Sequence, residues 1–189
     1  MKQYYYTVAS LPGLKLEESP FLSREEFLAV CEIELSAEDV HYVSAAAILL
    51  EEAADDTEEA VDYGVLGMWN RALREFQRQA ALVRAQALGW ETDRLPRPDV
   101  TDPSIPERLR QILNEDNPLK IENALLRWLW QTADSLETGH HFDREKLVVY
   151  HLKLQIAERR TRINDSEAGD EAFDQQYNEV AQSLMEIAT

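Results

Sequence analysis

Helix start and stop signals punctuate this chain from Ser23 to its last residues, whereas β propensity gathers in one place only, Tyr4-Tyr5-Tyr6-Thr7-Val8. A lone strand has no partner to pair with and is not stable by itself. The expectation is therefore an all-α, multi-helix bundle of about six to seven helices.

The signals are specific. In SREEFLAVCEIEL, Ser23 can accept from the third amide while Glu26 reaches back, which is a capping box. Ser36 and Asp39 repeat the device in LSAEDVHYVSAAAILLEE, after which Val40, Val43, Ala47 and Leu50 share one helical face. The stretch from Asp55 to Trp90 reads as the longest helix, opened by Thr57, with Glu58 and Glu59 at the positive end of its dipole, and closed by Gly89. Gly64 and Gly67 inside it each cost about 1 kcal/mol against alanine. Close helix packing is the preferred reading of the two, with a break near Tyr63 as the other.

ETDRLPRPDVTDPSIP, with four prolines, is the clearest connector. It reads either as an extended segment lying across the helices or as the boundary between two sub-bundles: an N-terminal helical sub-bundle over 1–91, the Pro-rich connector over 92–106 and a C-terminal sub-bundle over 107–189, together expected to form one compact domain. Ser104 and Glu107 open a short helix to about Asn114. Asn117 caps the next helix, with Pro118 in its first turn and Gly139 as its stop, and Ile121, Leu125, Trp128, Leu129 and Thr132 line one side. Asp143 caps FDREKLVVYHLKLQIAERRTRIN, whose apolar residues nearly encircle it, so it belongs at the centre of the C-terminal core. A separate last helix is expected over EAFDQQYNEVAQSLMEIA.

Composition narrows the function. The net charge of −17 repels nucleic-acid phosphates and anionic lipid head groups, and favours partners with basic surfaces. The one cysteine, Cys31, sits among apolar neighbours and reads as a small buried hydrophobe. No secretory apolar core follows Met1-Lys2, and the run VSAAAILL is far shorter than the roughly 20 residues of a spanning helix. A cytoplasmic protein without direct membrane insertion is expected.

Chemistry-bearing motifs are scarce. Two Glu-x-x-His spacings, Glu38…His41 and Glu137…His140, match the pairs that di-iron helical bundles use. Gly139 at a helix end misdirects the second pair, and glutamate is abundant enough to produce the spacing by chance. His140-His141 in GHHFDRE fits a polar turn better than a metal cluster. Phosphate-binding glycine loops, nucleophile elbows and Cys-x-x-Cys pairs are missing from the sequence. No catalytic residue, cofactor site or metal site is therefore expected.

Charge patterning says more. EEAADDTEEAVD carries seven acids and no base, as does the chain beyond Arg162. Arg71, Arg74 and Arg78 recur at helical spacing, and Arg159, Arg160 and Arg162 cluster at an expected helix C-terminus. The arginines fit either a docking surface for other proteins or, more simply, pairing with the acidic runs and dipole compensation. Trp128 and Trp130 point to different sides of their helix. Either they meet two neighbouring helices or one, Trp130 being the candidate, is an exposed anchor.

YYYTVASLPGL, followed by SREEFLAVC…LSAEDVHYV and later VVYHLKLQIAERR, resembles a bacterial family of unknown function encoded with V/A-type ATPase subunits. That family is similar to the C subunit of those machines, known as the d subunit in eukaryotes. The order of features agrees along nearly the whole chain and ends in Tyr-x-x-Lys-Leu-x-Ile-x-x-Arg, here Tyr150, Lys153, Leu154, Ile156 and Arg159. The resemblance implies a helical body like a lobe or lobes of that C subunit, hydrolysing nothing and held at the inner face of the membrane by partner proteins. Those partners would be the rotor ring and the central shaft. It also implies that the tyrosine triplet begins a short helix ended by Pro12-Gly13, against its β propensity. Candidate protein-interface residues are thus Tyr4, Tyr5, Tyr6, Arg71, Arg74, Arg78, Trp130, Arg159 and Arg160. Two other readings stand beside this one: a free-standing helical scaffold for a different basic protein, and a di-iron helical-bundle enzyme.

Overall fold

The computed structural model describes residues 2–48, 64–92, 105–113 and 117–187, with side chains placed as far as residue 165 in the last helix. Among the described residues seven helices follow one another: α1 Lys2–Ser10, α2 Arg24–Glu34, α3 Ala37–Ser44, α4 Gly64–Ala87, α5 Ile105–Leu113, α6 Pro118–Glu137 and α7 Arg144–Ile187. Among the described residues there is no strand. The all-α expectation holds.

Capping chemistry places most boundaries. Ser23 Oγ accepts from the Glu26 amide, and Glu26 Oε2 accepts from the Ser23 amide at 2.8 Å. That bond holds the Glu26 carboxyl below its usual range. Ser36 accepts from the Asp39 amide, Asn117 from the Leu119 amide and Asp143 from the Lys146 amide. At the end of α4, Gly89 adopts φ +68°, the Trp90 amide bonds back to Ala85 and the Gly89 amide to Gln86. These are the two bonds of a Schellman stop, which only an easily left-handed residue completes without strain.

The tyrosine segment is helical, as the resemblance implies. Tyr4, Val8 and Leu11 lie against the core and Thr7 is 2% exposed, so burial of one helical face overrides the local β propensity. Pro12 disfavours helical geometry at the residue before it and ends the run.

Several expectations need correction. The longest helix is α7, not α4, and it absorbs the separate last helix. Asn164, Asp165 and Ser166 look like a boundary, but each costs only tenths of a kcal/mol in a helix and none is a breaker. Arg159, Arg160 and Arg162 therefore lie within a helix rather than at its C-terminus. Helix α3 stops at Ser44, so Ala47 is beyond its face, and Leu50 falls outside the described residues. Gly64 opens α4 instead of lying inside it, with φ +67°. Gly67 is buried within the helix. Thr57 with its acidic run, most of the Pro-rich connector and Ser104 also fall outside the described residues.

Helix α7 is the spine. Leu147, Val148, Val149, Leu152, Leu154 and Ile156 are 0–1% exposed because neighbours cover it on every side: α6, α3, α4, α2 and α1. Full burial of each such side chain contributes about 1.5–3 kcal/mol. Trp69, Phe27, Leu66 and Leu126 fill the space between. The core thus joins residues on both sides of the connector, from Phe27 to Ile156. On α6, the face turned inward is Leu126, Trp128, Leu129 and Ala133, with Ile121 and Leu125 half-buried at its margin. Lys153 pairs with Asp134 near the end of α6 and Arg159 with Glu122 near its start, so the two helices run antiparallel.

Backbone carbonyls in the last turn of α3 and just beyond it are bound by buried side chains. His151 Nδ1 donates to the Val43 carbonyl at 2.9 Å, Gln155 Nε2 to Ala46 at 2.7 Å and Trp69 Nε1 to Ala47 at 2.8 Å. The carbonyl partner fixes the His151 proton on Nδ1 and leaves Nε2 buried without a partner among the described residues. Desolvation lowers the His151 pKa to about 4, against the raising effect of the Val43 bond and with a smaller lowering from Arg24.

Two outcomes follow. A Cβ on Gly64 would meet Tyr42 Oη at 2.6 Å and Glu145 Oε1 at 2.8 Å, whereas one on Gly89 would meet nothing within 4 Å. Gly64→Ala should therefore cost about 3 kcal/mol in urea unfolding, strain plus overpacking, and Gly89→Ala only about 1 for the left-handed backbone. For His151, the folded pKa lies below the unfolded value of 6.5, so its contribution is complete above pH 6.5 and is lost as pH falls towards about 4. At 1.36 kcal/mol per pH unit, the stability gap between wild type and His151→Gln should narrow by about 3 kcal/mol between pH 7 and pH 4.

Candidate functional site

The Tyr150–Arg159 stretch of α7 is a set of internal tethers. Tyr150 Oη donates to the Pro12 carbonyl at 3.0 Å, which fixes the turn after α1. Burial pushes its phenol up to about 12, so it remains a donor at neutral pH. Lys153 pairs with Asp134 at 2.5 Å and with Glu137, while Leu154 and Ile156 are fully buried. Arg159 Nε donates to Glu122 at 2.6 Å. The neighbouring Arg160 donates to the Leu16 carbonyl at 3.0 Å and pairs with Glu17, and Glu158 accepts from the Arg24 amide at 2.6 Å. The segment between α1 and α2 is thus stapled to α7 along its length.

A second network joins α1, α3, α4 and α7. Tyr4 Oη donates to Asp39 Oδ2 at 2.9 Å, and Arg144 pairs with Asp39 at 3.5 Å. Burial and then the Asp39 bond raise the Tyr4 phenol. The Arg144 guanidinium lies 3.9 Å from the Tyr42 ring centroid, a cation–π contact. Glu145 Oε2 accepts from the Val65 amide at 2.9 Å and from Tyr42 Oη at 3.1 Å. Its carboxylate therefore caps α4, where the helix dipole is positive.

The nine candidate interface residues divide accordingly. Tyr4 turns inward, while Tyr5 and Tyr6 are 49% and 69% exposed. Tyr5 contacts Tyr6 with ring centroids 5.7 Å apart, and Phe142 with centroids 4.7 Å apart. Phe142, in the turn between α6 and α7, is itself 47% exposed. Nothing in GHHFDRE marks it in the sequence, because a single aromatic in a polar turn carries no periodicity. Arg71 and Arg74 are exposed and Arg78 half-buried on α4, and each is engaged in an interaction of its own. Trp130 is half-buried, with Lys153 Nζ 5.4 Å from its ring centroid. Trp128 stacks on Phe76 across to α4 at 4.3 Å, so the two tryptophans do meet two different helices. Arg159 and Arg160 are held in the tethers above. Helix α1 packs on α2 and α7, and α4 on α5, α6 and α7, so the tyrosines and the α4 arginines belong to different faces of the bundle.

The residues with metal or nucleophilic potential are occupied otherwise. Glu137 pairs with Lys146 and Lys153, and His140 Nδ1 bonds Asp143 Oδ2 at 2.7 Å, which splits that Glu-x-x-His pair. Glu38 and His41 are exposed on α3. Among the described residues no three His, Cys, Asp or Glu side chains converge. Cys31 is fully buried, and desolvation followed by Glu32 pushes its thiol up to about 12, so no thiolate forms near pH 7. Lys146 is lowered by burial and then by Lys153, with Asp134 opposing. It lines a groove of about 320 Å³ between the Pro12-Gly13 turn and α7.

Compared with protein-family models, with curated proteins and with solved structures, the chain matches none.

The split between the tyrosines is measurable. Tyr4→Phe removes a partly buried hydrogen bond and should lower stability by about 1 kcal/mol, while Tyr6→Ser should stay within about 0.5 kcal/mol of wild type in urea unfolding.

Proposed function

We propose that this chain is a non-catalytic component or accessory factor of a V/A-type ion-translocating ATPase, similar to the C subunit of those machines. In this role it links the central shaft to the membrane rotor ring through protein–protein contacts. The observation that carries the reading is the ordered resemblance from YYYTVASLPGL to the Tyr150–Arg159 motif. Two features support it. The motif residues act as scaffold rather than as chemistry, which suits a part that works by holding its shape. The Tyr5, Tyr6 and Phe142 rings form an exposed aromatic patch of the kind that anchors protein interfaces. Among the described residues no helix is long and apolar enough to cross a membrane, so attachment at the inner face would come from partner proteins.

A second reading, a free-standing helical scaffold for another basic protein, draws on the net charge of −17. Tagged full-length protein purified from its native cells separates the two. Rotor-ring and shaft proteins should co-purify, and the double variant Tyr5→Ser, Tyr6→Ser should recover at least about tenfold less of them. Recovery of other proteins without any ATPase component would remove the first reading.

A further inference from the structure

Helices α5 and α6 flank a groove of about 260 Å³ that neither the tethers nor the aromatic patch uses. Arg108 and Gln111 line it from α5, and Arg127 and Gln131 from α6. All four are exposed at the rim, while Ile112, Ala124 and Trp128 form an apolar floor. Its described lining holds two guanidinium groups and no acid. In a chain with 36 acids against 19 bases, that local excess of positive charge needs a reason.

Nearby acids have other partners. Glu17 Oε2 pairs with Arg160, and its other oxygen stands 3.7 Å from Arg127, beyond hydrogen-bond distance. Glu107 pairs with Arg110 at 3.5 Å and accepts from Gln111 Nε2 at 3.4 Å. Glu75 lines the adjoining groove from α4 and is 5% exposed. Its Oε1 accepts from Gln79 Nε2 at 3.0 Å, and its Oε2 is buried without a hydrogen-bond partner among the described residues, so this carboxylate lies off the surface that a ligand meets. Donors, by contrast, are left over. Arg108 donates to Gln131 Oε1 at 3.3 Å, which leaves the Gln131 Nε2 group and most Arg108 N–H groups uncommitted among the described residues.

We propose that this groove binds a carboxylate on a short apolar stem, carried by a free small acid or by a glutamate side chain of a partner protein. Arg108 and Arg127 present planar donor forks of the kind that match the two oxygens of a carboxylate, and Gln131 Nε2 adds a further donor. The stem covers Ile112, Ala124 and Trp128, which removes apolar surface from water. A phosphate fits less well. Its larger charge meets more repulsion from a protein of net charge −17, and it has no apolar part to cover the floor. The site stands independently of the ATPase assignment.

The test is an NMR titration of the full-length ¹⁵N-labelled chain in about 0.15 M salt, where charges farther than about 8 Å are largely screened. The Trp128 indole signal is followed with n-butyrate, neutral butyramide, inorganic phosphate and the peptide Gly-Glu-Gly with blocked termini. Butyrate should shift Trp128 saturably, and butyramide and phosphate should each bind at least about tenfold more weakly. Binding of the blocked peptide as tightly as butyrate assigns the groove to a partner's glutamate, and its exclusion assigns the groove to a free acid. Arg108→Gln and Arg127→Gln should each weaken butyrate at least about fivefold. Arg110→Gln makes the same change in net charge on α5 but outside the groove, and should stay within about twofold of wild type. All three arginines are exposed, and should one groove variant not fold, the other is read. No butyrate-dependent shift at Trp128, equal binding of butyramide or phosphate, or an equal loss in Arg110→Gln would overturn the proposal.

Discussion

Three carbonyls decide how this bundle is assembled. The chain leaving α3 at Ser44 has no further helix to bond its backbone, and it runs through the interior. Its Ala46 and Ala47 oxygens are bound instead by Gln155 of α7 and Trp69 of α4, and the Val43 oxygen in the last turn of α3 accepts from His151 of α7 besides the Ala46 amide. Apolar packing alone tolerates small slips between helices, but a buried carbonyl left without its donor costs about 1–3 kcal/mol. These three bonds therefore fix the register of α3, α4 and α7 together, with Glu145 at the start of α4 as a fourth, charged constraint.

A consequence for the α7 motif is that its polar and apolar residues serve one purpose. Leu154 and Ile156 fill the core, and Tyr150, Lys153 and Arg159 hold the Pro12 turn and both ends of α6 to it. The residues least like a hydrophobic core in composition are thus the ones that orient it. The exposed rings of Tyr5, Tyr6 and Phe142 lie apart from these tethers.

How far the sequence foretells this depends on the range of each interaction. Ser23, Ser36, Asn117 and Asp143 act within three residues of themselves, so their spacing alone locates four helix starts. Gly89 and Gly139 are equally local stops. The all-round apolar pattern from Leu147 to Ile156 places α7 at the centre for the same reason. Long-range facts are not legible. Arg159 and Glu122 are 37 residues apart and Arg160 and Leu16 are 144 apart, so nothing in ERRTR distinguishes a tether from a docking surface. The helical state of Tyr4–Val8 follows from burial of one face, which local propensity cannot express, and only the resemblance implies it. Glu75 likewise reads as one acid among many, since its missing partner depends on how α5 and α6 close over it.

The uninterrupted course of α7 carries a mechanical implication. At 1.5 Å per residue its 44 residues extend about 66 Å, roughly twice the length of α6, the helix it lies against. Its first half is held by the core, so the side chains around Leu152 set the direction in which the whole rod points.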